Sequence, residues 1–291
     1  MNNQEEILQK QNDEEMLKCQ YAARHYYNTA EIFSIVAFIC SMISSLFILA
    51  PEEDSPLYSA SILLVPLALD AVSLISYWRM GVSVSSAALL RNYFDEKVLG
   101  INSASYTDHV TRKVKSLIIN ASEKSQAECE IQISNTGRDN PPGVKNWYEF
   151  SHQYSDDDAV FECQKQNCWW NNALCHRRLL IYGAVLLSGV FLGIIINLSL
   201  HVSVLRIIVC LLSAIVTFAD RFCENCKYIR LSMKIDDRCE ALEVSKNQVL
   251  ISSLQVLISK RRELRVVEIN RIHRKHSKAL SERYEQITKK S

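Results

Sequence analysis

Few side chains in this 291-residue sequence are spaced for bond-making chemistry. Cys163, Cys168, Cys175 and His176 cluster in sequence and are zinc-ligand types, but along one helix they point at irregular angles. Cys223 and Cys226 have the C-x-x-C spacing with no second pair nearby. There is no Gly-rich phosphate loop, no G-x-S-x-G, no H-E-x-x-H and no pair of carboxylates laid out for hydrolysis. The expectation is a protein without metal, cofactor or catalytic residue, and so not an enzyme. The polar residues that stand out lie inside apolar runs. An Asp at the centre of a membrane helix costs about 2.5–3.5 kcal/mol, so Asp70 has to face protein, water or a cation. It reads either as a pore-lining or gating carboxylate or as a protonated, helix-bridging one. Pro66 precedes it by one turn and removes a helix hydrogen bond. Asn197 could line a pore or bond a neighbouring helix, and Arg206 is close enough to a helix end to snorkel.

The elements that carry these residues are four apolar runs, at 32–50, 57–78, 179–200 and 202–219. About 20 apolar residues are what a helix needs to cross the roughly 30 Å hydrocarbon core. The fold class expected is an all-α membrane protein with four transmembrane helices in two hairpins. The link at 51–56 is PEEDSP and carries no Lys or Arg, and the link at 200–203 carries none either. Arg79, Arg177, Arg178, Arg221 and Lys227 flank the opposite ends. The positive-inside rule therefore places residues 1–31, 79–178 and 220–291 in the cytoplasm. A net charge of +1 argues against a polycation built for DNA or RNA. Ten scattered cysteines form no disulfide framework and suit a reducing compartment. The polar, acid-rich first 30 residues are unlike a secretory signal.

Helical periodicity predicts an amphipathic helix over 1–31. A second helix continues out of the run at 57–78 through Ala87, Leu90, Phe94, Val98 and Leu99 and stops at Gly100 or Asn102. A third covers 106–133, and the Thr136 to Gly143 run, TGRDNPPG, is the strongest loop signal. Asp158 is a candidate cap for the helix entering the third span. Gly189 and Gly193 form a small-xxx-small pattern that seats a close helix partner. From Cys223 onward the pattern predicts continuous helix, with Leu250, Leu254, Leu257 and Leu264, extended by Val267 and Ile272, forming a stripe that packs within the chain or between copies. Residues 260–291 hold 11 Lys or Arg against 4 Glu, a segment suited to anionic lipid or to phosphates.

Short motifs spread along the chain resemble those of the four-transmembrane effector family associated with SMODS-type nucleotidyltransferases. They are Gln11-Asn12, Cys19-Gln20 and Tyr26-Tyr27; then Asn92 to Gly100, NYFDEKVLG, which is similar to the family's FD-x-x-V-L signature. Asn146-Trp147-Tyr148, Cys163-Gln164, Asn167, Trp169-Trp170 and Arg177-Arg178 resemble its signature before the third span. Ser253-Leu254-Gln255, Ile258 and Arg261-Arg262 resemble its C-terminal element. Val256 departs from the family's usual acid, and the tail after Arg265 lacks its proline-aromatic turn.

The resemblance implies an effector of a bacterial cyclic-oligonucleotide antiphage system (CBASS) in the inner membrane. A partner nucleotidyltransferase makes a cyclic di- or oligonucleotide; the effector binds it in the cytoplasm and permeabilises the membrane, killing or arresting the cell. Phosphates call for guanidinium contacts and bases for aromatic stacking. The candidate ligand residues are Arg91, Trp147, Tyr148, Trp169, Trp170, Arg177, Arg178, Arg261 and Arg262. Phe94, Asp95, Cys163, Gln164, Asn167 and Gln255 are carried over as motif residues, and Asp70, Pro66 and Asn197 as pore or gating candidates. Four spans are few for a wide pore, so a homo-oligomer in the bilayer is expected. The competing expectations are an ungated small channel or transporter, and a scaffold that assembles through its C-terminal helix.

Overall fold

The computed structural model describes residues 3–47, 56–101, 107–200, 204–245 and 247–267; the side chains of 56–60, 62–63, 169–179, about half of 182–200 and most of 204–218 lie outside that description. Among the described residues eight helices follow one another: α1 (Asn3–Lys10), α2 (Glu14–Leu46), α3 (Pro56–Leu99), α4 (Asp108–Lys124), α5 (Gln126–Ser134), α6 (Asp156–Leu200), α7 (Val204–Val244) and α8 (Gln248–Arg262). The described residues hold no strand, and a single bridge joins Thr136 to Lys145. The protein is all-α.

Three helices are very long: α3 has 44 residues, α6 has 45 and α7 has 41. At 1.5 Å per residue each is more than 60 Å long, about twice a hydrocarbon core of roughly 30 Å. Each therefore has an apolar half and a polar half in one continuous rod. Among the described residues, α2 is the one helix long and apolar enough to cross a membrane over an unbroken window, with a mean hydropathy of 1.8 there.

Its apolar half is packed inside out. Ala30, Ser34, Ala37, Ser44 and Ser45 are buried, and Ile32, Ile35, Ile39, Ile43 and Leu46 are exposed. In water the reverse would hold, because large apolar surface drives burial. Small residues on the inner face let α2 and α3 approach closely. There the Ser73 hydroxyl donates to the Ala37 carbonyl at 2.8 Å, and the Ser44 hydroxyl to that of Pro66 at 3.4 Å. Large apolar residues point outward from α3 and α6 as well, among them Leu67, Leu74, Leu187 and Phe191. Gly189 of α6 faces Met42 of α2, where an added Cβ would sit 3.8 Å from the Met42 Cε.

The polar halves gather into a globular unit. Its core takes Cys19, Tyr21 and Ala22 from α2 and Leu90, Phe94 and Val98 from α3. Val114 and Ile118 of α4, Phe161 and Cys163 of α6, Ile235 and Leu242 of α7, and Leu254 and Ile258 of α8 complete it. The helix from the second run ends where its glycine predicts: Gly100 has φ +67° and donates its N–H to Glu96 O at 3.0 Å. The Thr136 to Gly143 segment is a loop closed by Asp139, whose carboxylate accepts from the Thr136 N–H and hydroxyl.

Several expectations change. The N-terminal helix is interrupted at 11–13, and the helix expected over 106–133 is split at Ser125. The third long helix starts at Asp156, so Asp158 lies in its first turn and accepts from the Ser155 hydroxyl at 2.6 Å instead of capping it. The C-terminal region is not continuous: α7 stops at Val244, and α8 restarts with the Asn247 side chain accepting from the Val249 N–H at 2.7 Å. That break folds α8 back, so Leu254 is buried in the chain's own core with Leu250 and Leu257 packed against it. Leu264 joins a separate cluster with Tyr228 and Val266. Residues 268–291, including Ile272 of the stripe, lie outside the described residues.

Candidate functional site

Asp95 is the hub of the globular unit. It sits on α3 with 1% exposure, beside the fully buried Phe94. A carboxylate at that depth is tolerated only when its oxygens are bonded. Its Oδ1 accepts from the Tyr148 hydroxyl at 2.9 Å. Its Oδ2 accepts from Gln255 Nε2 and from Arg262 Nη1, both at 2.8 Å. Each partner is itself held. The Gln255 carbonyl accepts from Gln164 Nε2 at 3.0 Å, and Gln164 also donates to the Ile251 carbonyl of α8. The Tyr148 hydroxyl accepts from Asn167 Nδ2 at 2.8 Å. The Tyr148 backbone pairs twice with the Gln11 side chain, at 2.7 and 3.1 Å. Arg262 Nη1 also reaches Asn92 Oδ1 at 3.0 Å.

Five separate stretches of chain thus meet within one hydrogen-bonded network: 11–12, α3, the loop at 146–150, α6 and α8. Burial, then Asp95, pushes the Tyr148 hydroxyl far above its ordinary range, so it stays protonated and donates. Burial likewise raises the Cys163 thiol, with Asp95 adding to the effect, and Cys163 is fully buried in the core. Among the described residues no group of three or more His, Cys, Asp or Glu gathers as a metal site.

At the edge of the network lie two guanidiniums and an indole. The Arg91 Cζ stands 4.1 Å from the centre of the Trp147 ring, both residues being half-buried. Burial lowers the pKa of Arg91, and the nearby Arg262 charge lowers it further. Burial works against Arg262 as well, but Asp95, Tyr148 and Tyr27 outweigh it and hold its charge firmly. Among the described residues Arg91 makes no ion pair or hydrogen bond through its guanidinium. Of two neighbouring cations, Asp95 bonds Arg262 alone and acts on Arg91 only through space. An unmatched cation stacked on an indole can take a phosphate through the guanidinium and a flat base against the ring.

The other candidates divide. Tyr148 and Arg261 are 1% and 2% exposed. Tyr148 is fully engaged in the network. Arg261 lies over the Tyr228 ring at 5.6 Å and donates to Asn167 O at 3.5 Å, with its Nη1 unpartnered. Both belong to the interior and offer no surface to a ligand. Phe94, Asp95, Cys163, Gln164, Asn167 and Gln255 all lie in or against the network. The side chains of Trp169, Trp170, Arg177, Arg178 and Asn197 lie outside the described residues. Asp70 is exposed on α3, and Pro66 sits inside that helix at the contact with Ser44.

Gln11, Asn92 and Tyr27 are site residues that residue type alone does not single out. A signal was present all the same, since each stands in one of the stretches that carry the family resemblance.

A family model described as the SMODS-associating 4TM effector domain matches residues 5–264. No curated protein and no solved structure matches the chain. The matched span takes in every residue of the Asp95 network, and the chain belongs to the SMODS-associating 4TM effector family, the membrane effectors of SMODS-associated, CBASS-like systems.

Proposed function

We propose that the chain is a nucleotide-gated membrane effector, crossing the inner membrane four times, at 32–50, 57–78, 179–200 and 202–219, with its globular unit and both termini in the cytoplasm. A cyclic di- or oligonucleotide made by a partner nucleotidyltransferase binds at Arg91, Trp147 and Arg262, and the membrane becomes permeable. The observation that carries this reading is the unmatched Arg91 guanidinium, stacked on Trp147 beside Arg262 and next to a network built from the family's own motifs. The apolar residues facing outward from α2, α3 and α6 support the spanning topology.

Assembly of several copies follows from Asp70. It is exposed on an isolated chain, in the middle of an apolar run, where a lipid-facing carboxylate would cost about 2.5–3.5 kcal/mol. A neighbouring copy or a shared water-filled path removes that cost. The scaffold alternative has less support, because α8 buries Ile251, Leu254 and Ile258 within its own chain.

The test is equilibrium binding of a panel of cyclic di- and trinucleotides to the detergent-solubilised full chain. One ligand is expected to bind, with roughly 10–100-fold weaker affinity for Arg91→Ala, the loss of one charge-assisted contact of about 1.5–3 kcal/mol. Equal affinity in Arg91→Ala and Trp147→Ala would place the ligand elsewhere.

A further inference from the structure

After α8 the chain turns at 263–265, where the Leu264 N–H donates to Arg261 O and the Val266 N–H to Leu264 O, and reaches the foot of the apolar rods. The Arg265 guanidinium lies over the Tyr77 ring at 5.5 Å. It passes so close to α3 at Gly81 that a Cβ there would stand 3.3 Å from Arg265 Nε. Val266 packs with Tyr228, Ile229 and Leu264 on the α7 side. Val267 is buried among Ala30 of α2 and Met80 and Val84 of α3.

At the same level Arg221 of α7 donates to both the hydroxyl and the carbonyl of Ser34 on α2, each at 3.0 Å, and the Tyr77 hydroxyl donates to Asp220 of α7. Three rods, α2, α3 and α7, are tied together where the exposed apolar surface begins at Ile32 and Trp78, both 62% exposed. Residues 264–267 lie in the middle of that tie.

The other end of the segment is Arg262, held by Asp95 and Asn92. Five extended residues span at most about 17 Å. The polar network and the foot of the rods are therefore joined by a short piece of chain. Asp95 occupies on Arg262 the place that a phosphate oxygen would take, because both anions pair with a guanidinium in the same geometry.

We propose that residues 262–267 form an autoinhibitory strap. The Asp95–Arg262 ion pair fastens it, the strap clamps α2, α3 and α7 at the foot of the rods, and a phosphate that takes Arg262 from Asp95 releases it. The proposal rests on the reading of the chain as a nucleotide-gated effector and adds to it an internal carboxylate that competes with the ligand. A ligand with two phosphates is favoured over one with a single phosphate, since it satisfies Arg91 and Arg262 together while Asp95 serves only Arg262.

The test uses the full chain in liposomes with no nucleotide present. Two variants unfasten the strap from different ends: Asp95→Asn removes the lock, and Gly81→Val pushes Arg265 off α3 without touching the polar network. Hydrogen exchange of 262–267 and release of a trapped dye are followed together. Both variants are expected to exchange faster in 262–267 and to release dye roughly tenfold faster than the parent, a shift of about 1.4 kcal/mol. If Asp95→Asn does not fold, Gly81→Val decides alone. A loosened strap with the dye retained overturns the proposal, and so does dye release with 262–267 still protected. If the variants leak in this way while the parent answers no cyclic nucleotide, the strap stands and nucleotide gating fails. If the parent leaks with a nucleotide while the variants stay tight, gating stands and the strap fails.

Discussion

At the scale of single residues, burial decides which of the motif positions can touch a ligand. Arginine, tyrosine and tryptophan at 91, 147, 148, 261 and 262 are equivalent candidates when read as residue types. In the fold, Tyr148 and Arg261 are interior, while Arg91 and Trp147 are half-buried at the edge. Tyr148→Phe is expected to cost about 1–3 kcal/mol, because the Oδ1 of Asp95 loses its donor and Asn167 its acceptor. The fall appears in the melting temperature of the solubilised protein, with the affinity for nucleotide unchanged. Glu96 gives the opposite sign. Its Oε2 is buried without a partner, and burial raises its pKa. A carboxyl whose folded pKa is raised contributes stability below its unfolded value, about 4.3, and loses it as pH rises through the folded value. Glu96→Gln is therefore expected to melt higher than the parent at pH 7, with the gap closing as the pH falls toward 4. A gap that widens on acidification contradicts this.

At the scale of elements, breaks marked by Gly or Pro are legible in the sequence and breaks set by packing are not. Gly100 ends α3 and the Thr136 to Gly143 run forms a loop, because left-handed backbone and proline leave a compositional trace. The breaks at 11–13, at Ser125 and at 245–247 contain neither residue. They exist because tertiary contacts outweigh helix continuity: the break after Val244 turns α8 back so that Gln255 and Arg262 reach Asp95. Asn247→Ala removes the N-cap of α8 and is expected to cost about 1 kcal/mol, read as faster hydrogen exchange in the first turn of α8. The loop offers a sharper contrast. A Cβ on Gly143 would lie 1.8 Å from Asn135 O, whereas a Cβ on Gly137 meets nothing within 4 Å. Gly143→Ala is expected to unfold the loop and free Arg24, which holds the Pro142 and Gly143 carbonyls. Gly137→Ala is expected to leave the melting temperature within a degree or so, an effect under about 0.5 kcal/mol.

At the scale of the whole molecule, the long helices join the apolar half to the globular unit. Because α3 and α6 run unbroken from the apolar half to the globular unit, the helices that hold Asp95, Gln164 and Asn167 are the rods themselves. The apolar runs and the motif residues are visible in the sequence; their convergence on one carboxylate is not, since Gln11, Asp95, Tyr148, Gln164 and Gln255 lie far apart along the chain and meet only in three dimensions. The small inner face of α2 makes its own prediction. Ala37→Leu places a large side chain where the Ser73 hydroxyl meets the backbone and is expected to part α2 from α3, whereas Ile39→Leu on the exposed face is expected to change little. The measurement that bears most directly on the account is dye release from liposomes holding the full chain, with cyclic di- and trinucleotides added one at a time. Release with one ligand, lost in Arg91→Ala, is the predicted result. Folded protein that binds its nucleotide yet keeps the dye inside at every ligand concentration would contradict it.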